Sequence, residues 1–175
     1  MNDENYEITT LRIDRVTDGR HAEVEFTTDW RVDANRRDLT INSMFLTFDG
    51  DIIDFFNGQD DLHARCVRFV GNPVERIQED YLRILRYFRF YSRICLSGHD
   101  HCQAHLTAIS DNSAGLASIS GERIWCELYK IVDQRFNFEF LDYAYKLDFA
   151  QYIGLPADGI SGKAQNYQKI SEHKK

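Results

Sequence analysis

The sequence has 175 residues, of which 43% are hydrophobic and 13% aromatic, so it can bury a core and is not a disordered composition. Its formal net charge of −7 argues against a protein that grips nucleic acid with its whole surface, although a local basic site is still allowed. No apolar run is long enough to span a bilayer, and the first residues show no signal or transit pattern. The four cysteines form no C-x-x-C pair, which we interpret as reduced structural thiols.

The first part of the chain predicts short antiparallel strands. Residues 6–29 alternate apolar and polar side chains around the turn Asp18-Gly19, which is typical of a β-hairpin. A short helix is predicted to begin near Asp38 or Thr40, and short strands at 52–53 and 67–71. The pattern indicates a mainly β segment that contains one helix.

From about residue 73 the pattern becomes helical. Residues 73–95 predict one continuous helix with Pro73 near its start. A short helix ending at Gly115 follows, and then two further helices within 121–133 and 136–155. The remaining residues, 156–175, lose the hydrophobic period and predict a disordered tail. The fold class is therefore α+β, with the boundary between the two segments near residue 72.

Four arginines lie on one face of the predicted helix, opposite an apolar face: Arg83, Arg86, Arg89 and Arg93. Asp80 lies one helical step from Arg83, and an i,i+3 ion pair between them is the commoner meaning of such a pattern. The alternative is nucleotide recognition, because a guanidinium makes paired hydrogen bonds with phosphate or with a base edge. The sequence of this helix alone leaves both interpretations open.

The second polar cluster is "RRDLTIN", residues 36–42. If a helix begins at Asp38, its free N–H groups face an anion, beside the charges of Arg36 and Arg37. Asn42 would then bond a sugar or a base. The competing interpretation is a helix N-cap at Asp38 with solvated arginines.

The stretches "RRDLTINSM", "DFFNG" and "EDYLRILRYFRF", in this order and spacing, resemble the class II tRNA nucleotidyltransferases, or CCA-adding enzymes. The resemblance runs from about Tyr6 to about Leu155 and looks most like the animal mitochondrial and cytosolic form. It implies a partial polymerase-β-like nucleotidyltransferase head over residues 1–72, with antiparallel strands and a short helix. An all-helical, nucleotide-reading neck over residues 73–155 would follow.

The resemblance also implies roles for single residues. Asp80 and Arg83 would pair with the base of CTP or ATP, and Glu79 would orient Arg83. The residues that it assigns to nucleotide binding are Arg36, Arg37, Asp38, Asn42, Glu79, Asp80, Arg83 and Arg86. A flexible hinge would contain Asp54 and Gly58, and Glu122 and Arg123 would support the nucleotide-reading helix.

The family chemistry uses two Mg²⁺ ions held by carboxylates, most of them in a G-G-x-x-R-D…D-x-D motif that has no match here. Glu7 is the candidate for the third carboxylate, with Glu25 as the alternative; either is also explained as an exposed strand carboxylate. We therefore expect an incomplete metal site. His101 and His105 have zinc-binding spacing, but a loop leading into a helix explains them better. Trp30 and Trp125 are expected to be packing residues.

The expected function is template-independent addition of CCA to tRNA 3′ ends, with ATP, CTP and the tRNA 3′ end as partners and no membrane. The compartment would be mitochondrial or cytoplasmic. We expect the chain to be a fragment that lacks the D-x-D motif and a C-terminal body and tail, and to be incomplete for catalysis. Two alternatives are a catalytically inactive nucleotide- or tRNA-binding fragment, and an unstable truncation without a function of its own.

Overall fold

A computed structural model describes residues 8–17 and 22–156. The α-helices of the described part are α1 (Trp30–Asn35), α2 (Gly58–His63), α3 (Pro73–Glu79), α4 (Arg83–Ile94), α5 (Gln103–Asn112), α6 (Gly121–Val132) and α7 (Asn137–Lys146). The strands are β1 (Arg12–Thr17), β2 (Ala22–Phe26), β3 (Phe45–Leu46) and β4 (Ile52–Ile53). Three 3₁₀ turns cover Thr40–Asn42, Ser113–Ser118 and Ala150–Ile153. The mixed class with antiparallel strands is confirmed.

The strands form two antiparallel pairs. β1 pairs with β2, as the predicted hairpin requires, and the register shifts between Asp14 and Val16. The predicted turn at Asp18-Gly19 lies outside the described residues. β3 pairs with β4. The strand predicted at 67–71 is wrong, because this stretch makes only one isolated bridge, between Leu39 and Phe69.

The predicted continuous helix over residues 73–95 is wrong. α3 ends at Glu79, Asp80 is extended with φ −158° and ψ 104°, and α4 begins at Arg83. The Asp80 side chain accepts a hydrogen bond from the N–H of Leu82 at 3.2 Å, and its carbonyl accepts from the N–H of Arg83 at 2.9 Å. These local bonds pair two N–H groups at the start of α4, so the chain changes direction where an aspartate offers its own acceptors.

The short helix predicted from Asp38 or Thr40 is only a three-residue 3₁₀ turn, Thr40–Asn42. Asp38 is not its cap, since the capping position is held by Leu39 without a side-chain bond. The α-helix of this region lies earlier, at α1, where Asp29 accepts from the N–H groups of Arg31 and Val32. An anion site at a helix beginning at Asp38 is therefore wrong.

The last helices follow the sequence pattern more closely. α6 confirms the first of the two predicted helices. The second, predicted over 136–155, is shorter: α7 ends at Lys146, and a 3₁₀ turn over Ala150–Ile153 follows. α5 ends at Asn112, and a 3₁₀ turn then continues past Gly115, where a Cβ atom would come within 2.1 Å of the Tyr81 ring. The glycine is thus required by the close approach of Tyr81, and does not end a helix.

One hydrophobic core joins the helices to part of the strand-containing segment. Its central side chains include Tyr87, Phe88 and Phe149, and Leu39 and Phe69 join the same cluster from before residue 72. Trp30 and Trp125 are 41% and 66% exposed, so the prediction that they are packing residues is wrong for Trp125 and only partly met by Trp30, whose ring contacts Phe45. Within the described residues, no helix has the length and apolarity needed to cross a bilayer.

Candidate functional site

The two arginines of "RRD" are held by one buried carboxylate. Asp33, in the first turn of α1, accepts from Arg36 at 2.9 and 2.8 Å through one oxygen, and from Arg37 at 3.1 and 2.8 Å through the other. Burial raises the pKa of Asp33, but the hydrogen bonds from Arg37 and Arg36 outweigh burial and leave that pKa below its usual value. Asp33 therefore stays charged and orients both guanidinium groups.

Asp38 turns inward and joins the loop to α4. Its Oδ2 accepts from Nε of Arg86 at 2.6 Å, and its Oδ1 accepts from the amide of Asn42 at 3.1 Å. Burial raises the pKa of Asp38, yet the bond from Arg86 outweighs it and the pKa is lowered. The structure thus brings together three of the residues that the sequence singled out, from two distant stretches.

Glu79 lies between two arginines at the end of α3. Its Oε2 is 2.6 Å from Nη1 of Arg83, and its Oε1 is 2.6 Å from Nη2 of Arg76. Both arginines also donate to consecutive carbonyls at the end of α1: Arg83 to Arg36 at 2.9 Å and Arg76 to Asn35 at 2.6 Å. The expectation that Glu79 contacts Arg83 agrees with this geometry.

The ion pair expected between Asp80 and Arg83 is not formed. Asp80 instead accepts from Nη2 of Arg123, a residue of α6, at 2.7 Å. The helix break explains the difference, because an extended residue at position 80 removes the i,i+3 relation that a continuous helix would provide. Arg123, expected only to support the nucleotide-reading helix, contacts Asp80 directly, whereas Glu122 is exposed in the first turn of α6.

The predicted hinge segment forms the beginning of α2. Asp54 accepts from the backbone N–H groups of Phe56, Gly58 and Gln59 at 2.9 to 3.1 Å. Burial raises the pKa of Asp54, but these three bonds outweigh it and the pKa is lowered. A Cβ at Gly58 would come within 2.3 Å of the Thr40 carbonyl oxygen, so only glycine permits this approach.

The arginine row on α4 proves to be largely neutralised. Arg83 and Arg86 meet Glu79 and Asp38, and Arg89 is buried against Glu127 at 2.8 Å. Arg93 is exposed and forms no ion pair with the described residues. A helical projection finds the face but not the carboxylates, since Asp38 and Glu127 are distant in sequence.

The sequence prediction missed two residues that hold side chains of the candidate site, Asp33 and Arg76. Asp33 lies three and four residues before Arg36 and Arg37, and Arg76 lies three residues before Glu79. Both relations are ordinary i,i+3 or i,i+4 spacings, so a search for such pairs would have found them.

The described residues do not provide a metal site. Glu7 lies outside them, Glu25 is exposed on β2, and no group of three or more His, Cys, Asp or Glu side chains in ranges 8–17 and 22–156 could hold an ion. His101 instead stacks on Tyr91 with ring centroids 3.6 Å apart and shares a 3.0 Å hydrogen bond with the Tyr87 hydroxyl. Burial lowers the pKa of His101 to about 4, which fits a neutral packing residue.

Comparison with known proteins places this geometry in a family. The poly A polymerase head domain matches residues 1–68. The human protein CCA tRNA nucleotidyltransferase 1, mitochondrial, is 58% identical over 173 residues, which are 99% of this chain and 39% of the human protein. Over 99% of its length the chain is homologous to a CCA tRNA nucleotidyltransferase. A more distant member, the CCA-adding enzyme of Bacillus subtilis, is 39% identical over 135 residues, 76% of this chain and 33% of that protein.

A solved structure of the same family has the same fold. The crystal structure of the Bacillus stearothermophilus CCA-adding enzyme in complex with CTP has a TM-score of 0.72 and 31% identity, covering 90% of this chain and 36% of that one. The resemblance to CCA tRNA nucleotidyltransferases and the expected fold class are thereby confirmed. The chain spans about two-fifths of the length of the curated mammalian relatives that it matches.

Proposed function

We propose that this chain is the nucleotide-selecting part of a CCA-adding tRNA nucleotidyltransferase, in which Asp80 and Arg83 pair with the base of CTP or ATP. One observation carries the proposal: Arg83 donates to the Arg36 carbonyl at 2.9 Å and Arg86 donates to Asp38 at 2.6 Å. The loop "RRD" and the motif "EDxxR" thus form a single contact set. The CTP complex of the Bacillus stearothermophilus relative supports a nucleotide as the ligand.

The pairing chemistry suits the two side chains. A charged carboxylate only accepts hydrogen bonds and a guanidinium only donates them, so together they match a base edge that has both a donor and an acceptor. Asp80 and Arg83 are each held by a second charged group, Arg123 and Glu79. Held in this way, the pair replaces a template base, which is what template-independent selection requires.

We propose that the sugar and the triphosphate of the nucleotide are contacted by the "RRD" loop and by Arg86. Arg36, Arg37 and Asp38 would contact the sugar, with Asn42 nearby, and Arg86 the triphosphate. The guanidinium of Arg37 uses only two of its five N–H donors on Asp33, at Nε and Nη2, which leaves donors for a ligand. We keep Asp54 and Gly58 as the proposed hinge, and Glu122 and Arg123 as the proposed support.

The reaction proposed for the full-length protein is attack of the tRNA 3′ hydroxyl on the α-phosphate of the nucleotide, with pyrophosphate leaving. Mg²⁺ belongs to this chemistry by family resemblance, but the carboxylates of the described residues do not form a site that fits it. We therefore assign this chain nucleotide selection and derive no step through a metal. The names of the mammalian relatives support a mitochondrial compartment, and the division into a head over 1–72 and a neck over 73–155 remains our prediction.

A second candidate function is a nucleotide- or tRNA-binding fragment without catalysis. The observation that favours it is the intact contact set around Glu79, Asp80 and Arg83 beside described carboxylates that form no metal cluster. Both functions require the same selective binding, and they differ in whether nucleotides are added to tRNA.

The experiment titrates CTP, ATP and GTP, with Mg²⁺, into the purified chain and into its Asp80→Ala and Arg83→Ala variants. We expect CTP and ATP to bind and GTP not to bind, with both variants losing the selectivity. Arg93→Ala is the matched control, because Arg93 lies on the same helix but is exposed. A folded chain that binds no nucleotide, or that binds GTP equally well, would contradict the proposal. Addition of nucleotides to tRNA would exclude the second candidate.

A further inference from the structure

Arg76 belongs to neither polar motif, yet it contacts the residue that holds Arg83. We propose that Arg76 is a positioning residue for nucleotide selection, which fixes Glu79 and, through Glu79, the guanidinium of Arg83. The inference rests on the proposed function of Arg83. Position 76 lies outside both "RRD" and "EDxxR", and neither motif assigns it a role.

Arg76, Glu79 and Arg83 contact one another and the end of α1. Arg76 and Arg83 each hold one oxygen of the Glu79 carboxylate at 2.6 Å. Each also donates to one of two consecutive backbone carbonyls, those of Asn35 and Arg36. In addition, Nη1 of Arg83 donates to the Arg76 carbonyl at 3.0 Å. Glu79 therefore cannot rotate without losing contacts to both arginines.

Arg76 is more buried than the arginine of an ordinary surface ion pair. The side chains of Arg76 and Arg83 are 12% and 13% exposed, whereas Glu79 is 38% exposed. The more exposed carboxylate is thus fixed by two nearly buried guanidinium groups. Burial lowers the pKa of Arg76, and the neighbouring charge of Glu79 opposes that change. Without Arg76, Glu79 loses the contact that holds its Oε1, and with it a restraint on the rotation of the carboxylate.

Orientation matters because base recognition depends on the placement of individual N–H groups. An arginine side chain is long and flexible, and a positioned contact in a binding site needs a second set of residues that restrains it. The competing explanation is that Arg76 only fastens α3 to the end of α1 through the Asn35 carbonyl. That role would lower stability and weaken the binding of all nucleotides alike, without changing the preference among them.

The test compares Arg76→Met with Arg89→Met in the 175-residue chain. Methionine keeps an unbranched apolar chain but removes the donors, and Arg89 is a buried arginine of α4 whose partner is Glu127. For Arg76→Met we expect CTP affinity to fall at least tenfold and the preference for CTP over GTP to fall with it. For Arg89→Met we expect lower stability and an unchanged preference. Arg76→Lys, which keeps the charge but not the two-branched geometry, should restore only part of the preference.

A double-mutant cycle with Glu79→Gln separates positioning from general weakening. If Arg76 acts through Glu79, the effects of the two substitutions on the CTP-to-GTP preference are not additive, and the double variant is no worse than Glu79→Gln alone. Additive effects, or a preference that Arg76→Met leaves unchanged while Arg83→Ala abolishes it, would overturn the proposal and leave the proposed function intact.

A measurement made without nucleotide distinguishes failure of the positioning role of Arg76 from failure of the proposed function. The side-chain Nε–H signal of Arg83 in ¹⁵N NMR reports whether its guanidinium is held in one environment. We expect a distinct, exchange-protected signal in the wild-type chain and in Arg89→Met, and its loss in Arg76→Met. Persistence of the signal in Arg76→Met would overturn the positioning role. If the wild type binds no nucleotide, the proposed function fails, and the role of Arg76 in selection fails with it whatever the signal shows.

Discussion

The strand segment, residues 8–72 of the described part, and the helical segment, residues 73–156, are held together by different forces. Few apolar side chains of the strand segment are buried, namely Ala34, Leu39, Val67, Phe69 and Val70. Several of its large apolar side chains are exposed, including Ile8, Phe26, Leu46, Phe48 and Ile52. The helical segment supplies the rest of the described core.

Buried charge replaces apolar contact in the strand segment. Asp33, Asp38 and Asp61 are all buried there, and each accepts from an arginine or a hydroxyl group. The loop of the proposed site is therefore held by directional polar contacts, whereas the helical segment is held by the packing of apolar side chains. Sensitivity to substitution should therefore differ in kind between the two segments.

The largest effect is expected where the helical segment itself contains a buried charge. Glu127→Ala leaves Arg89 buried without a carboxylate, and breaking such a pair costs about 3–5 kcal/mol. The combined change Arg89→Met with Glu127→Leu should restore most of the free energy of unfolding, because apolar contacts replace the pair. Urea denaturation measures both. Equal losses in the single and the double variant would show that packing, and not the unpaired charge, sets the cost.

The next effect contrasts two leucines, one in each segment. Leu85→Ala removes a fully buried side chain of α4 and should lower the free energy of unfolding by about 2–5 kcal/mol. Leu46→Ala removes an exposed side chain of β3 and should change it by less than about 0.5 kcal/mol. Denaturant midpoints at constant slope provide the measurement. A large loss for Leu46→Ala would mean that β3 is covered in solution, and the comparison between the segments would then be wrong.

A smaller effect tests the tight junction of the strand segment. Gly58→Ala places a methyl group against the Thr40 carbonyl and should cost about 1–3 kcal/mol through overpacking. Gly121→Ala is the matched control, since a Cβ there meets open space at the start of α6. Thermal unfolding of both variants shows the difference. If Gly58→Ala is neutral, the approach of α2 to Thr40 is looser than the structure indicates.

The last effect appears only as pH changes, and it concerns the aromatic surroundings of His101. Its pKa is lowered by burial to about 4 from the ordinary 6.5, so the unfolded chain takes up the proton first as pH falls. Stability should therefore decrease on acidification between about pH 6.5 and pH 4. The pKa values of Asp33 and Asp38 are lowered too, but their contribution is lost only below the ordinary value of 3.8.

His101→Phe is the variant that isolates this contribution. Phenylalanine keeps the contacts with Tyr91 and Tyr143 but cannot take up a proton. We expect the pH dependence of the melting temperature between pH 4 and 6.5 to flatten in this variant. The pKa of His105 is also lowered by burial, so His105 contributes to the slope that remains. An unchanged slope in His101→Phe would assign the dependence to other groups.

The amino-acid pattern predicted most elements because it reports local preference. Alternation around Asp18-Gly19 gave the β1–β2 pair, and apolar spacing gave α6 and α7. The break at Asp80 was missed, since a helical period runs through residues 78–94 while the aspartate side chain bonds the Leu82 N–H instead. The prediction of a strand at 67–71 was wrong for a related reason: apolar residues indicate burial, and only pairing makes a strand.

The sequence by itself determined most residues of the candidate site and which family the chain resembles, because motif order and residue chemistry are written along the chain. It did not identify Asp33 or Arg76. Only the tertiary structure decided the partners: Asp38 with Arg86, Asp80 with Arg123, and Arg83 with the Arg36 carbonyl. These partners are 43 to 48 residues apart, and a helical projection carries no information on contacts between distant segments. Packing of α4 against the loop after α1 and against α6 selects them, since each buried charge must meet an opposite charge or a carbonyl.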